Sequence, residues 1–300
     1  MTPEEKWLLE EKYGGKRTVE YERDTKRLAK GEPLAYVIGW QLFLGLKIYL
    51  DSKPLIPRPE TEWWTEQLLE EVGSVISGAS ASDGERHEQI FSRKLCAPRN
   101  HTTDFRFLDL CAGSGAIGCA ALAQLPNFQV FFGEIDPAHE ATILKNIREN
   151  NLQESRAHVR IGDLFEPFRA TNFSCPYSDL EKWKYSCGDM KFDLIAINPP
   201  YIPADRVLPV SVSHYEPGRA LYAGPDGLDV IRRIAEDLPQ YLATDGEAWI
   251  ECDSAHASDA CALFTAQSLS AKIRTDQYGK PRIIVVSFPR TPKEPKETGI

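Results

Sequence analysis

Phe107-Leu108-Asp109-Leu110-Cys111-Ala112-Gly113-Ser114-Gly115-Ala116-Ile117-Gly118 runs from an apolar strand pattern through a glycine-rich turn into a helical pattern. Gly113 and Gly115 let the backbone approach a ligand, and Gly118 lets the helix lie close on a sheet. The spacing is G-x-G-x-x-G, and Asp136 follows the next apolar run, 129–135, where it could accept both hydroxyls of a ribose. A glycine turn beside an unrelated Asp is the plainer reading, but it needs strand, turn, helix and acid to coincide. A bound adenosine cofactor is therefore expected.

Outward from this loop the pattern alternates. Strands are predicted at 105–110, 129–135, 158–161, 192–197 and 247–252, with helices near 117–125, 137–150 and 228–242. Such alternation predicts a doubly wound α/β fold with a mostly parallel sheet. A last hairpin, 271–275 and 283–288 around a turn at 276–279, places one antiparallel strand in it and brings the total to seven. Residues 1–30 are charged and helix-compatible, with too few apolar positions for a core of their own. Residues 31–50 read as a turn and then a strand, a linker hairpin between a small helical unit, 1–50, and a main domain, 51–300. A helix is expected at about 61–72, capped by Thr61, with Gly73 after its last turn. The polar stretches near 73–104 and 170–190 read as surface insertions.

Composition narrows the function. Across 300 residues, 42% are hydrophobic, enough for a sizeable core. No run approaches the roughly 20 apolar residues that cross a bilayer, and Glu4, Glu5, Glu10 and Glu11 are acidic where a leader would be basic, so no membrane association is expected. A net charge of -9 argues against free nucleic acid as the main ligand, since phosphate binding needs surplus Lys and Arg. The seven cysteines are odd in number, scattered and never C-x-x-C, which predicts free thiols and no structural metal.

Asn198-Pro199-Pro200-Tyr201 follows the apolar run 192–197. The prolines offer no N–H to a ladder, so nearby carbonyls are left free. Asn198 adds a side-chain carbonyl, Pro199 a backbone one and Tyr201 a flat face, together able to hold a planar NH2 group by both hydrogens. The alternative is a Pro-Pro turn that merely ends a strand. This motif separates two cofactors: a nicotinamide enzyme has no use for an NH2 clamp, whereas an S-adenosylmethionine enzyme acting on an amino group does. Asp109 favours the latter weakly, as an acid able to organise the loop and an ammonium group. Cys111, Ala112, Gly113, Ser114, Gly115 and Ala116 are the loop's candidate cofactor contacts, with Asn198 beside them. Asp163 could accept from an adenine amine with Leu164 against the ring, or simply cap a turn.

With both sites placed, the sequence resembles the peptide-chain release factor glutamine methyltransferases of the PrmC/HemK type. The resemblance rests on Gly31-x-Pro33-x-x-Tyr36-x-x-Gly39, Leu55-Ile56-Pro57-Arg58-Pro59-Glu60-Thr61-Glu62, the 109–118 loop, Asn198-Pro199-Pro200-Tyr201, and Glu216-Pro217-x-x-Ala220-Leu221 followed by Gly224-x-Asp226-Gly227-Leu228. Asn-Pro-Pro-Tyr alone is shared with amino-methylating DNA and RNA enzymes; the 55–62 and 216–221 segments are more selective. Cys111, Gly218 and Glu251-Cys252-Asp253 depart from the family pattern, and the region before Gly31 is shorter than usual, as a reduced domain or as a chain lacking its native N-terminus.

The resemblance implies a Rossmann-like class I methyltransferase fold and S-adenosyl-L-methionine as cofactor. It implies methyl transfer to the glutamine amide of a Gly-Gly-Gln motif in a release factor, with Asn198, Pro199, Pro200 and Tyr201 as the catalytic motif. It further implies that the N-terminal unit helps grip that protein. A monomer is expected. The polar insertions and the Pro- and Lys-rich tail look like an organelle branch, which suggests mitochondria with a targeting segment absent from this chain; the cytoplasm is the alternative. The rival readings are a nucleic-acid amino methyltransferase reading a flipped base in the same clamp, and a catalytically silent partner-binding module.

Overall fold

Runs of consecutive apolar residues bury both faces of a strand, and three of them form the middle of this molecule. The structure, a computed structural model, describes residues 1–77, 105–169 and 190–289. Phe105–Leu110 (β3), Phe128–Glu134 (β4) and Phe192–Ile197 (β6) join Ala157–Ile161 (β5), Leu242–Glu251 (β7), Ser270–Thr275 (β8) and Pro281–Ser287 (β9) in one sheet of order β5-β4-β3-β6-β7-β9-β8. The pairs β3/β4, β3/β6, β4/β5 and β6/β7 are parallel, and β9 is antiparallel to both its neighbours. This is the Rossmann-like class I methyltransferase arrangement, with the single antiparallel strand the sequence predicts. The chain leaves β3 towards β4 on one side and returns to place β6 on the other. The crevice at that reversal, beyond the carboxyl ends of β3 and β6, is where such sheets bind ligands.

Helices cover both faces. Pro59–Ser77, Ala116–Gln124 and Glu140–Glu149 (α4, α5 and α6, following three N-terminal helices) pack on one face, where Trp64, Leu68, Ile117 and Ile143 join Phe107 and Phe132 in one core. On the other face Ile231 and Leu238, in Asp229–Tyr241, and Phe264, in Ala257–Ala266, meet Leu108, Ile195 and Ile250. A Cβ on Gly118 would lie 2.2 Å from Phe132 Cε1, so only glycine allows α5 to sit this close to β4.

The first 50 residues form helices Pro3–Glu11 (α1), Val19–Ala29 (α2) and Leu34–Ile38 (α3), then the hairpin Trp40–Phe43 (β1) with Leu46–Tyr49 (β2). Thr2 and Glu5 make a reciprocal cap on α1, and Thr18 caps α2. Their small core is Leu8, Tyr21, Val37 and Ile38. Beside it the fully buried Asp24 accepts from Lys12 at 2.7 Å, Tyr13 at 2.8 Å and Arg27 at 3.0 Å. Burial pushes the Asp24 carboxyl up, and these three bonds together hold it below its ordinary value.

Several local expectations are corrected. Residues 34–38, read as a turn, form a short helix ended by Gly39 at φ 100°. The helix expected at 61–72 begins at Pro59, a proline at its first turn, and passes through Gly73 to Ser77. Thr61 does not cap it, because its hydroxyl is drawn to a distant carboxylate. β7 begins at Leu242, five residues early, and Ala257–Ala266, with a weak apolar stripe among small residues, gave no helical signal. Most of 73–104, nearly all of 170–190 and three cysteines, Cys96, Cys175 and Cys187, lie outside the described residues; Cys111, Cys119, Cys252 and Cys261 are free thiols.

Candidate active site

Register brings the two motifs together. Leu110 of β3 pairs with Ile197 of β6, and Ile197 with Ile250 of β7, so Cys111, Asn198 and Glu251 emerge side by side at the carboxyl edge. Cys111 (φ 62°), Gly113 (φ 55°) and Gly115 (φ 76°) alternate left-handed with the residues between them, curling the loop into a backbone cradle. A non-glycine residue at positive φ is strained, and Cys111 is the loop's one such position. Asp109 is buried beneath. Its Oδ2 accepts from Gly118 N–H at 2.8 Å, holding the first turn of α5, while its Oδ1 has no partner among the described residues. Burial holds this carboxyl well above its ordinary range; the Gly118 bond opposes that and the nearby Glu134 charge adds to it.

The acid that faces the loop is Glu134, not Asp136. β4 ends at Glu134, one residue earlier than expected, so Glu134 is the strand's last residue beside the loop and Asp136 already lies in the turn beyond it. Glu134 accepts from Gly113 N–H at 2.7 Å and Asp136 N–H at 2.8 Å. Asp136 instead caps its own turn, accepting from Ala138 N–H at 2.9 Å. Asp163 lies beyond β5 and pairs with Arg233 at 2.7 Å, while Leu164, at φ 48°, is buried against the sheet. Ala112, Ser114 and Ala116 are buried in the loop and the start of α5.

Asn198 is held from behind. Its Nδ2 donates to Thr61 Oγ1 at 3.0 Å; Thr61 Oγ1 donates to Glu251 Oε2 at 2.7 Å. Trp64 Nε1 donates to the same oxygen at 2.7 Å, and Tyr201 OH donates to Glu251 Oε1 at 2.8 Å. Glu251 is 1% exposed, so three donors from two distant segments converge on one buried carboxylate. Burial first, and then Glu251's charge, push the Tyr201 phenol well up, which keeps its proton in place. Asn198, Pro199 and Tyr201 line a cavity of about 250 Å³ whose other walls include Leu55, Arg58, Leu208, Val212 and Leu221. Pro200 is half-buried and is not part of that lining.

The other motif segments frame the same cavity. Glu216 is buried and accepts from Arg58 Nη2 at 2.6 Å and Ile56 N–H at 3.1 Å, joining the 55–62 and 216–221 segments. Ile202 N–H donates to Leu221 O at 2.9 Å. A Cβ on Gly227 (φ 76°) would lie 2.5 Å from Tyr201 O, so a side chain there would push the motif out of place. Tyr36 OH donates to Pro54 O at 2.6 Å, which ties the N-terminal unit to this frame. Sequence reasoning missed Glu134, Thr61 and Glu251 as a group. An acid ending a run of apolar strand residues was the available signal for the last.

A family described as Conserved hypothetical protein 95 matches residues 88–213, less than half of the chain but inclusive of both motifs. A release factor glutamine methyltransferase from Thermodesulfovibrio yellowstonii is 33% identical over 236 residues, covering 77% of this chain and 67% of its own. One of the same name from Bacillus cereus is 30% identical, with 85% and 76% covered. The chain belongs to the release factor glutamine methyltransferase family. A ribosomal protein uL3 glutamine methyltransferase from Bradyrhizobium diazoefficiens is 30% identical, with 74% of this chain and 57% of that one covered. The 55–62 and 216–221 segments that carry the likeness to release factor glutamine methyltransferases are those that Glu216 joins in space.

The residues present suit the methyl-donating cofactor that methyltransferases use. The left-handed alternation at 111–115 leaves a concave backbone, Glu134 presents a carboxylate at its rim, and Asp109 Oδ1 is a buried polar atom beneath it with no partner among the described residues.

Proposed function

We propose that this chain transfers a methyl group from S-adenosylmethionine to the side-chain amide nitrogen of the glutamine in a release factor's Gly-Gly-Gln motif. The observation that carries the reading is the orientation of Asn198: with Nδ2 donated to Thr61, its Oδ1 is the atom left to accept from a substrate, in a cavity that Pro199 and Tyr201 also line. When bound, the cofactor supplies an electrophilic methyl group. The 111–115 cradle and Glu134 would hold its polar parts, the latter taking ribose hydroxyls, with Asp163 and Leu164 on the adenine side.

An amide nitrogen is a poor nucleophile because its lone pair is delocalised. Two acceptors, Asn198 Oδ1 and Pro199 O, fix the NH2 plane and stabilise the positive charge that grows on nitrogen as it is alkylated. Tyr201, its hydroxyl tied back to Glu251, offers its ring face to the flat amide. No general base is required, since the methylated nitrogen is acidic and gives its proton to water. The net charge of -9 supports a protein acceptor over free nucleic acid.

Labelled cofactor offered with a release factor, its Gly-Gly-Ala variant, ribosomal protein uL3, DNA and RNA tests this. Label on the release factor alone, absent from the variant, is expected; label on DNA or RNA would replace this reading with base methylation. A mitochondrial location is a separate proposal, supported by the polar insertions and tail alone and tested by the distribution of a tagged chain between organelle and cytosol.

A further inference from the structure

We propose that Glu251 and Thr61 are positioning residues that set the hydrogen-bond polarity of Asn198, and so decide which end of its amide faces the substrate. The proposal rests on the glutamine-amide reading above.

Asn198 alone is ambiguous. Its side-chain amide has an accepting end and a donating end of nearly the same shape, and only the accepting end can bind an NH2 group. Rotated by half a turn, Asn198 would present N–H to N–H and repel the substrate. Nothing in Asn-Pro-Pro-Tyr prevents this.

Thr61 removes the ambiguity. Its hydroxyl has one proton, which goes to Glu251 Oε2, so towards Asn198 it can only accept. The atom of Asn198 that faces it at 3.0 Å must therefore be the donating Nδ2, which turns Oδ1 outwards. Glu251 is the origin of this polarity because a carboxylate only accepts. Its other oxygen takes the Tyr201 proton at 2.8 Å, so one buried group orients both side chains that flank Pro199 and Pro200. Glu251 is not itself part of the cavity lining and reaches it through its hydrogen bonds to Tyr201, which lines the cavity, and to Thr61 behind Asn198.

Glu251→Gln keeps the shape and adds an NH2 that can donate to Thr61, allowing the chain of donors to reverse. Thr61→Val keeps the shape and removes the link. On a Gly-Gly-Gln release factor, each is expected to lower kcat by about 10–100-fold, the range seen when outer hydrogen-bond partners of a site are lost. The dissociation constant for S-adenosylmethionine should stay within about twofold, Thr61→Ser should recover most of the rate lost in Thr61→Val, and the double variant should lose little more than either single one. In parallel, asparagine-selective 15N labelling reads the Asn198 side-chain NH2 directly: its exchange with solvent should quicken in both variants, with or without an acceptor substrate present. Unchanged kcat and exchange in both variants would overturn the proposal, as would Thr61→Ser behaving like Thr61→Val. If wild-type protein transfers no methyl group to the release factor, the proposed function fails instead, and the exchange measurement still decides the polarity.

Discussion

Asn198 and Asp109 make opposite demands on solvent, and each suggests its own measurement. Asn198→Ala removes an acceptor needed only while charge develops on the substrate nitrogen, so kcat should fall by about 10²–10³-fold. Cofactor affinity, measured by calorimetry, should hardly move; full retained activity on a glutamine substrate would end the assignment. Asp109 is buried and its carboxyl is held well above 3.8. The folded chain therefore keeps a proton that the unfolded chain has already lost, and stability must fall as pH rises from about 4 towards the raised folded value. Asp109→Asn cannot ionise, so its urea-unfolding stability should fall less steeply over that window; parallel profiles would show that Asp109 is not the group responsible. Asn198 was legible because its neighbours are rigid prolines in an unbroken motif. Glu134 was not, since two acids lay two residues apart at 134 and 136 and only the true end of β4 tells which one faces the loop.

Among the elements, α5 lies close on β4 at Gly118. Gly118→Ala would place a methyl group 2.2 Å from Phe132 Cε1, a fully buried ring in the core cluster. The expected loss is about 1–3 kcal/mol by urea denaturation, as for an overpacked core, together with weaker cofactor binding as the loop shifts. A neutral result would mean that the helix can lift off β4 without consequence. Element identity could be read wherever apolar runs were long: β3 and β6 have the bounds expected of them. It could not be read at 34–38, too short for a helical period to show, nor at 257–266, where alanines and a serine blur the stripe.

For the molecule as a whole, alternation of apolar runs was enough to give seven strands, one of them reversed, because a parallel strand must be followed by a crossover. It could not give the convergence at the crevice. Thr61, Asn198, Tyr201 and Glu251 come from three separated parts of the chain, and no spacing rule links residue 61 to residue 251. That separation also has a kinetic meaning. The bond between Thr61 and Glu251 closes a loop of 190 residues, whereas the pairs within the N-terminal helices and the β1–β2 hairpin are local. Contacts so distant along the chain form late in folding. In refolding from urea, far-UV circular dichroism should recover before methyl-transfer activity. Asn198 is thus held only once Glu251, at the end of β7, has joined Thr61, and coincident recovery of the two signals would show that the crevice assembles with the sheet.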